Sequence, residues 1–249
     1  MIGKAAIKQL VTSRLDSRGY VLKEKAAPPR GFAGFLDLYR RRVGTARTVF
    51  DIGVGCGTPW LYEGFPDAEL ILVEPLDRFE REIQAIADSR RAVWHRCALG
   101  DRTGEVTMQV PRRVPTSASI LARSPDWKEI TAAARDTDVA ERTVPIRTLD
   151  EIADGAEGPF VIKLDVEGAE LKVLQGGPNA IRSAGLIIVE ASISPRYAGE
   201  SDLVDIGSFL KPAGFKLADI IEMPTYGPDK VLAYVDAAFV RADSGFWQE

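Results

Sequence analysis

An apolar strand that ends in acidic residues is the feature that most constrains this fold. Residues 161–165 read Val-Ile-Lys-Leu-Asp, and Glu167 and Gly168 follow directly. Gly168 predicts a turn, and the pattern up to residue 175 predicts a short helix. In open α/β sheets the ligand lies at the carboxyl ends of the strands. The carboxylates of Asp165 and Glu167 are therefore predicted to lie at a ligand site.

Strands and helices alternate along most of the 249-residue chain, which predicts an α/β fold with a largely parallel sheet. A chain of this length is sufficient for one large domain with small extensions. Residues 215–221 and 231–240 predict a closing hairpin at one side of the sheet. The core strands are predicted near residues 48–52, 70–74, 92–97, 160–165 and 186–190.

The domain organisation follows from the breaks in this pattern. Residues 1–47 are predicted to form an N-terminal helical cap with two helices, over residues 1–27 and 32–44. Residues 48–249 form the main domain. Within it, residues 111–142 lack a clear period and are predicted to be a variable insertion, with one helix near 125–135. Residues 144–148 contain Pro145 and are therefore predicted to be an edge strand.

Composition limits the class of protein. The net charge is −4 and the pI is about 5.3, which argues against nucleic-acid binding. No run approaches about 18 consecutive apolar residues, so no membrane span is predicted. Cys56 and Cys97 lack the spacing of metal ligands and are interpreted as reduced thiols of a cytoplasmic protein. The sequence leaves the oligomeric state open.

A glycine-rich loop follows the first predicted core strand. Gly53, Gly55 and Gly57 let the backbone approach a ligand closely, although such a loop alone is a weak signal. Glu74 ends the next strand, where a carboxylate can accept hydrogen bonds from both ribose hydroxyls. Asp51 precedes the first glycine and is predicted to brace the loop through its backbone N–H groups. The pattern predicts a nucleoside-binding site.

Further details of this loop limit the kinds of ligand that it could bind. The dinucleotide fingerprint requires a glycine where Thr58 stands, and no Gly-Lys-Ser/Thr motif is present. A pyrophosphate is therefore disfavoured, whereas S-adenosylmethionine, a nucleoside with a short charged tail, fits. Two alternatives remain open: a non-catalytic S-adenosylmethionine-binding regulatory protein and a nicotinamide-dependent oxidoreductase.

Four segments resemble, in order, the motifs of the FkbM-type S-adenosylmethionine-dependent methyltransferases: residues 51–57, 73–75, 98–101 and 162–170. The resemblance covers about residues 48–240 and is most specific in residues 163–170. It implies a Rossmann-like class I methyltransferase sheet, mostly parallel with an antiparallel final strand and with helices on both faces. It also implies methylation of a hydroxyl oxygen on a small molecule such as a sugar, a glycan unit or a secondary-metabolite scaffold.

The resemblance also implies roles for individual residues. Gly53, Gly55 and Gly57 would surround the methionine portion of the cofactor, Glu74 would hold the ribose, and Ala98 and Leu99 would contact the adenine. Ser117 and Ser119 lie in a segment that the family places near its active site. Substrate binding is therefore predicted for both serines, and a solvent-exposed linker is the alternative. The chain departs from the family pattern at Cys56 and in the short helix after Gly57.

The acidic residues are the predicted catalytic groups. Methyl transfer from a sulfonium mainly requires alignment and the exclusion of water, and a general base adds a further acceleration of about 10²–10⁴-fold. Asp165 is the first candidate for the base, and Glu190, which ends the neighbouring strand, would share the site. Glu167 either joins them or caps the following helix, along which Glu170 is predicted to be oriented.

Metal and histidine chemistry are the less favoured alternatives at this site. Three carboxylates could also bind Mg²⁺, which prefers oxygen ligands. Nothing in their spacing requires a metal, so none is assigned. His95, the single histidine of the chain, precedes its strand tip and is interpreted as structural.

Overall fold

The computed structural model describes residues 31–125, 138–226 and 229–248. Its main sheet contains, in chain order, β1 Thr48–Ile52, β2 Glu69–Val73, β3 Ala92–His95, β7 Phe160–Leu164, β8 Ala184–Ser192, β9 Phe215–Glu222 and β12 Tyr234–Arg241. Their spatial order is β3-β2-β1-β7-β8-β12-β9. Within this sheet β12 runs against the other six strands. This confirms the predicted class I methyltransferase sheet, including its antiparallel final strand.

Helices cover both faces of the sheet. In chain order they are α1 Gly31–Arg42, α2 Pro59–Gly64, α3 Glu80–Ser89, α4 Leu149–Ala153, α5 Glu170–Gln175, α6 Pro178–Ser183 and α7 Leu203–Leu210. Successive strand residues point to opposite faces, so Val49 packs in the core beneath α1 and Phe50 in the core beneath α5 and α7. Two covered faces explain why the central strands are apolar at consecutive positions.

A second sheet joins β4 Ala98–Gly100, β5 Gly104–Pro111 and β6 Val139–Thr148 in the order β4-β6-β5. The prediction that residues 144–148 form an edge strand is wrong, because β6 is the central strand of this sheet. Strand β4 pairs only with residues 146–148, so Pro145 is paired on one side alone, with Glu105 of β5. A missing N–H is tolerated at that position because no second strand lies opposite it.

Several predicted elements are confirmed near their expected bounds. The hairpin of β9 and β12 is present, with the short strands β10 Thr225–Tyr226 and β11 Val231–Leu232 between them. Helix α1 is present, and its Phe35, Leu36 and Tyr39 side chains are buried. The helix predicted for residues 1–27 and almost all of the one near 125–135 lie outside the described residues. The domain boundary at residue 48 stays a prediction.

The strand order creates a switch point next to β1. The chain proceeds outward from β1 through β2 to β3 and later places β7 on the opposite side of β1. In open α/β sheets a ligand crevice forms where the order reverses, at the carboxyl ends of the strands. The glycine loop after β1 and the acidic turn after β7 meet at this position. Among the described helices, none has the length and apolar character needed to cross a bilayer.

Candidate active site

The glycine loop has a backbone that few other residues would adopt. Gly53, Gly55 and Gly57 have φ values of +80°, +51° and +102°, in the left-handed region that strains residues with a Cβ atom. Gly53 also lies directly against the backbone of Asp165, which leaves no space for a side chain. Helix α2 then begins with Pro59 and ends at Gly64, as short as the sequence predicts. The loop is thus shaped for close backbone contact with a ligand.

Glu74, which follows β2, holds this loop in place. One of its carboxylate oxygens accepts the Gly55 N–H at 3.0 Å, and the other accepts the Leu76 N–H at 2.9 Å. Burial raises the pKa of Glu74, and the two N–H groups partly oppose that rise. Each oxygen retains a lone pair that can accept a further hydrogen bond, such as one from a ribose hydroxyl.

Asp51 does not brace the loop as predicted. Its fully buried carboxylate accepts the Tyr62 hydroxyl at 2.5 Å and lies 3.3 Å from the Lys163 ammonium. The reason is the strand register, since Asp51 pairs with Lys163 and both side chains lie on the same face of the sheet. The bracing role that was predicted for Asp51 belongs to Glu74.

A single cavity of about 400 Å³ connects the glycine loop with the acidic turn. Ala98, Leu99 and Leu76 give it an apolar wall, and Glu74 provides a buried acceptor. This volume lies within the roughly 300–1,000 Å³ range of small-molecule sites. A glycine loop in the left-handed conformation, an apolar wall and a carboxylate acceptor together fit a nucleoside with an amino-acid tail. This is the shape of S-adenosylmethionine.

The acidic end of the cavity brings the predicted catalytic residues together. Asp165, Glu167 and Glu190 all line it, and one carboxylate oxygen from each lies within 4.8 Å of the others. Two cations offset part of this negative charge. Lys163 lies 3.3 Å from Asp165, and Arg196 lies 3.1 Å from Glu167 and 2.7 Å from Glu190. The oxygens are close enough to share a metal ion, but Lys163 and Arg196 already supply positive charge there, so we assign no metal.

Protonation in this cluster reflects burial and mutual repulsion. Burial, followed by the charges of Asp165 and Glu167, raises the pKa of Glu190 well above its usual value, and Arg196 opposes the rise. Burial also raises the pKa of Glu167, again opposed by Arg196. A raised proton affinity is the physical consequence of placing several carboxylates in one poorly hydrated site.

Glu167 joins the acidic cluster, the first of its two predicted placements, whereas Glu170 differs from its predicted orientation. Glu167 does not cap α5, because its carboxylate accepts the Tyr197 hydroxyl at 2.7 Å and pairs with Arg196. Its own backbone has φ +57°, a left-handed conformation that is uncommon for glutamate. Glu170 turns back from α5 rather than along it and accepts the N–H groups of Val166 and Gly168 at 3.0 and 3.1 Å. Glu170 therefore stabilises the turn that presents Glu167.

The predicted substrate serines lie outside the cavity lining. The Ser119 hydroxyl is buried, donates to the Glu167 carbonyl at 2.6 Å and accepts the Leu121 N–H at 2.9 Å. Ser117 donates to the Val114 carbonyl at 2.8 Å. Their neighbours Thr116 and Ala118 line the cavity instead, because alternate residues of this segment point toward the cavity. Direct substrate binding by the two serines stays a prediction.

Four residues of the site escaped the sequence prediction: Lys163, Arg196, Tyr197 and Asp236. Lys163 carried a signal, since a lysine inside a buried apolar strand requires charged partners. Asp236 carried a weaker one, as an acidic residue in an apolar closing strand. Arg196 and Tyr197 follow β8 in a loop with no local pattern, so only the folded chain reveals their contacts.

Comparison with known proteins agrees with this geometry. A family model described as the methyltransferase FkbM domain matches residues 53–217, about two thirds of the 249-residue chain. The chain belongs to the FkbM methyltransferase family. The matched span includes the glycine loop, Glu74, Asp165 and Glu190 of this FkbM methyltransferase, so family membership rests on the segments that form the cavity.

Individual relatives are more distant. The chain is 36% identical over 93 residues to the hexuronic acid methyltransferase AglP of Haloferax volcanii, and this match covers 35% of the chain and only 39% of that relative. A crystal structure of an FkbM methyltransferase from Methylobacillus flagellatus has a TM-score of 0.47 and 19% identity, and the match covers 78% of this chain and 43% of that one. The 1,6-didemethyltoxoflavin-N1-methyltransferase of Burkholderia thailandensis has a TM-score of 0.42 and 13% identity, over 96% and 88% of the two chains.

Proposed function

We propose that this FkbM methyltransferase uses S-adenosylmethionine to methylate a hydroxyl oxygen of a small molecule, namely a sugar or glycan unit. The observation that carries the proposal is one cavity with two chemically distinct ends. The glycine loop, Glu74 and the apolar Ala98–Gly100 strand form a nucleoside end, and three carboxylates form a reaction end. Carboxylates are suitable partners for hydroxyl groups, and a sugar presents several of them.

The residues of the nucleoside end have distinct roles in this proposal. Gly53, Gly55 and Gly57 allow the methionine portion to approach the backbone, Glu74 accepts the ribose hydroxyls, and Leu99 packs against the adenine. When bound, S-adenosylmethionine supplies the methyl group. In the transfer, a bond forms between the methyl carbon and the acceptor oxygen while the carbon–sulfur bond breaks and leaves its electron pair on sulfur. The protein aligns the acceptor and excludes water.

At the reaction end, Asp165, Glu167 and Glu190 bind and orient the acceptor hydroxyls. Lys163 and Arg196 limit the repulsion among these carboxylates and fix their positions. The relative AglP is named for action on a hexuronic acid, which supports a sugar acceptor here. A hexuronic acid offers both hydroxyl and carboxylate oxygens, so the linkage that is formed needs a direct test.

The first experiment measures cofactor binding. Titration calorimetry with S-adenosylhomocysteine and separately with NAD should show binding of the thioether and not of the dinucleotide. Glu74→Gln should weaken thioether binding by about tenfold to a hundredfold, since a hydrogen bond to a charged group contributes about 1.5–3 kcal/mol. The exposed Glu82→Gln is the matched control and should bind as wild type does. Micromolar NAD binding without thioether binding would contradict the proposal.

The second experiment identifies the product. The enzyme is incubated with S-adenosylmethionine and with the methyl glycosides of glucose, galactose, rhamnose and glucuronic acid, and products are detected by mass spectrometry. A methyl ether survives mild alkali whereas a methyl ester is hydrolysed, so alkali treatment separates hydroxyl from carboxyl methylation. An alkali-stable product is expected. Exclusive alkali-labile methylation of the glucuronide would exclude the hydroxyl acceptor, and thioether binding without any product would favour a regulatory protein.

A further inference from the structure

The carboxylates at the reaction end differ in how fully their oxygens are engaged. Asp165 lies beside the Lys163 ammonium, and Glu167 is bound by both Arg196 and Tyr197. Glu190 also pairs with Arg196. Each of these three carboxylates is already engaged by a buried cation, so its oxygens are less available to an acceptor proton, and the three are better suited as anchors than as bases.

Asp236 on β12 is a fourth carboxylate that lines the same cavity. It lies opposite Glu190 in the antiparallel pair of β12 with β8, and opposite Glu222 in the pair with β9. Within residues 31–125, 138–226 and 229–248, no hydrogen bond and no ion pair engages its carboxylate, and it has only through-space electrostatic neighbours. Its oxygens are therefore available to a bound molecule.

We propose that Asp236 is the general base that removes the proton from the acceptor hydroxyl. This inference rests on the proposed function and assigns the base to Asp236 instead of Asp165, the first candidate from the sequence. The hydroxyl proton moves to a carboxylate oxygen of Asp236 as the acceptor oxygen forms its bond to the methyl carbon. Asp165, held by Lys163, orients the acceptor.

The proton affinity of Asp236 suits this role. Burial, followed by the charges of Asp165 and Glu222, raises the pKa of Asp236 to about 7, while Lys163 and Arg196 act in the opposite direction. A base is most effective when its pKa is near the working pH. The ionisable groups that face it come from β7 and its turn, β8 and its following loop, and β9: Lys163, Asp165, Glu190, Arg196 and Glu222.

The first test compares Asp236→Asn with Asp165→Asn, using an acceptor glycoside that wild type methylates. Ionised Asp236 is the active form, so the wild-type kcat should rise with pH through a midpoint of about 7 and level off at higher pH. Asp236→Asn should lose about 10²-fold or more of kcat on the plateau and should lack this rise. Asp165→Asn should raise KM and retain the rise, which should move to lower pH because the charge of Asp165 raises the pKa of Asp236. The assignment is overturned if Asp236→Asn stays within a few-fold of wild type, or if Asp165→Asn abolishes the pH dependence.

A second variant leaves the cavity intact. Glu222 is exposed and does not line the cavity, yet its charge raises the proton affinity of Asp236. Glu222→Gln should move the rise in kcat to lower pH without changing the plateau. Asp243→Asn, at an exposed position on the segment after β12, is the matched control and should not move it. If the rise in kcat occurs at the same pH in Glu222→Gln as in wild type, Asp236 is not the general base.

A measurement that needs no acceptor separates this inference from the proposed function. The carboxyl ¹³C resonance of Asp236 is followed by NMR as a function of pH, in the protein bound to S-adenosylhomocysteine. A midpoint near 7 is expected, with a lower midpoint in Glu222→Gln. A midpoint below about 5 would exclude Asp236 as the base. If the titration behaves as expected but no glycoside is methylated, the proposed sugar acceptor fails instead.

Discussion

Substitution of Gly53 by alanine tests whether the glycine loop and the acidic turn are packed as the structure describes. A Cβ added at Gly53 would lie 1.8 Å from the carbonyl oxygen of Asp165 and 2.8 Å from its carbonyl carbon. Real Cβ contacts do not fall below about 3.0 Å, so the two backbones must separate by roughly 1 Å. Neither side can yield by rotating a side chain, because the obstructing atoms belong to the main chain.

The expected loss of stability has two parts. A left-handed conformation costs a residue with a Cβ about 1–2 kcal/mol, and overpacking typically adds about 1–3 kcal/mol. Gly53→Ala should therefore lose about 2–5 kcal/mol of unfolding free energy. Gly55→Ala is the matched control in the same loop, since its φ is also positive but its added Cβ would have Thr116 as nearest neighbour, at an ordinary 3.8 Å. It should lose only the conformational part, about 1–2 kcal/mol.

Urea denaturation of the three proteins measures these differences, and the effect of alanine on the unfolded chain is the same for both variants. Calorimetry with S-adenosylhomocysteine then reports the site. Gly53→Ala should bind it far more weakly than Gly55→Ala does, because the displaced backbone belongs to both ends of the cavity. If the two variants unfold within about 0.5 kcal/mol of each other, the contact between Gly53 and Asp165 is refuted.

Two further substitutions test the buried charges. Arg196→Gln leaves Glu167 and Glu190 buried without their cation, and a loss of about 3–5 kcal/mol is expected at pH 8. The pKa of Glu190 is already raised in the folded state, so folding favours its protonated form. The stability loss measured by urea denaturation should therefore be smaller at pH 5 than at pH 8. Equal losses at both pH values would contradict this. Tyr62→Phe removes the hydroxyl that donates to Asp51 and should cost about 1–3 kcal/mol, and an unchanged denaturation midpoint would show that Lys163 alone satisfies Asp51.

Much of the sheet could be predicted from the sequence because its strands are buried on both faces. A run such as residues 70–73 is apolar at consecutive positions, and the acidic Glu74 follows where the strand ends. The same local pattern predicted Glu74, Asp165 and Glu190 at the carboxyl ends of strands in this sheet, although β8 continues beyond Glu190 to Ser192. Since parallel strands end at one edge of a sheet, their convergence on a single cavity could be predicted without coordinates.

The partners of these residues could not be predicted in the same way. The contact of Arg196 with Glu167 joins a loop after β8 to the turn after β7 and depends on how both connections fold. Asp236 reaches the site through the antiparallel pairing of β12, and a shift of one residue in that register would point its side chain to the opposite face. Strand register also explains why Glu74, and not Asp51, braces the glycine loop, since it directs the Asp51 side chain toward Lys163.

Lys163 links the two ends of the cavity. Its ammonium donates to the Gly53 carbonyl at 3.0 Å and lies 3.3 Å from the carboxylates of both Asp51 and Asp165. A lysine in this poorly hydrated position keeps its charge because two carboxylates flank it, and each carboxylate in turn depends on the lysine. The nucleoside loop and the reaction end are thus held together by one charge, as well as by the backbone contact of Gly53 with Asp165. A change at either end should therefore be transmitted to the other.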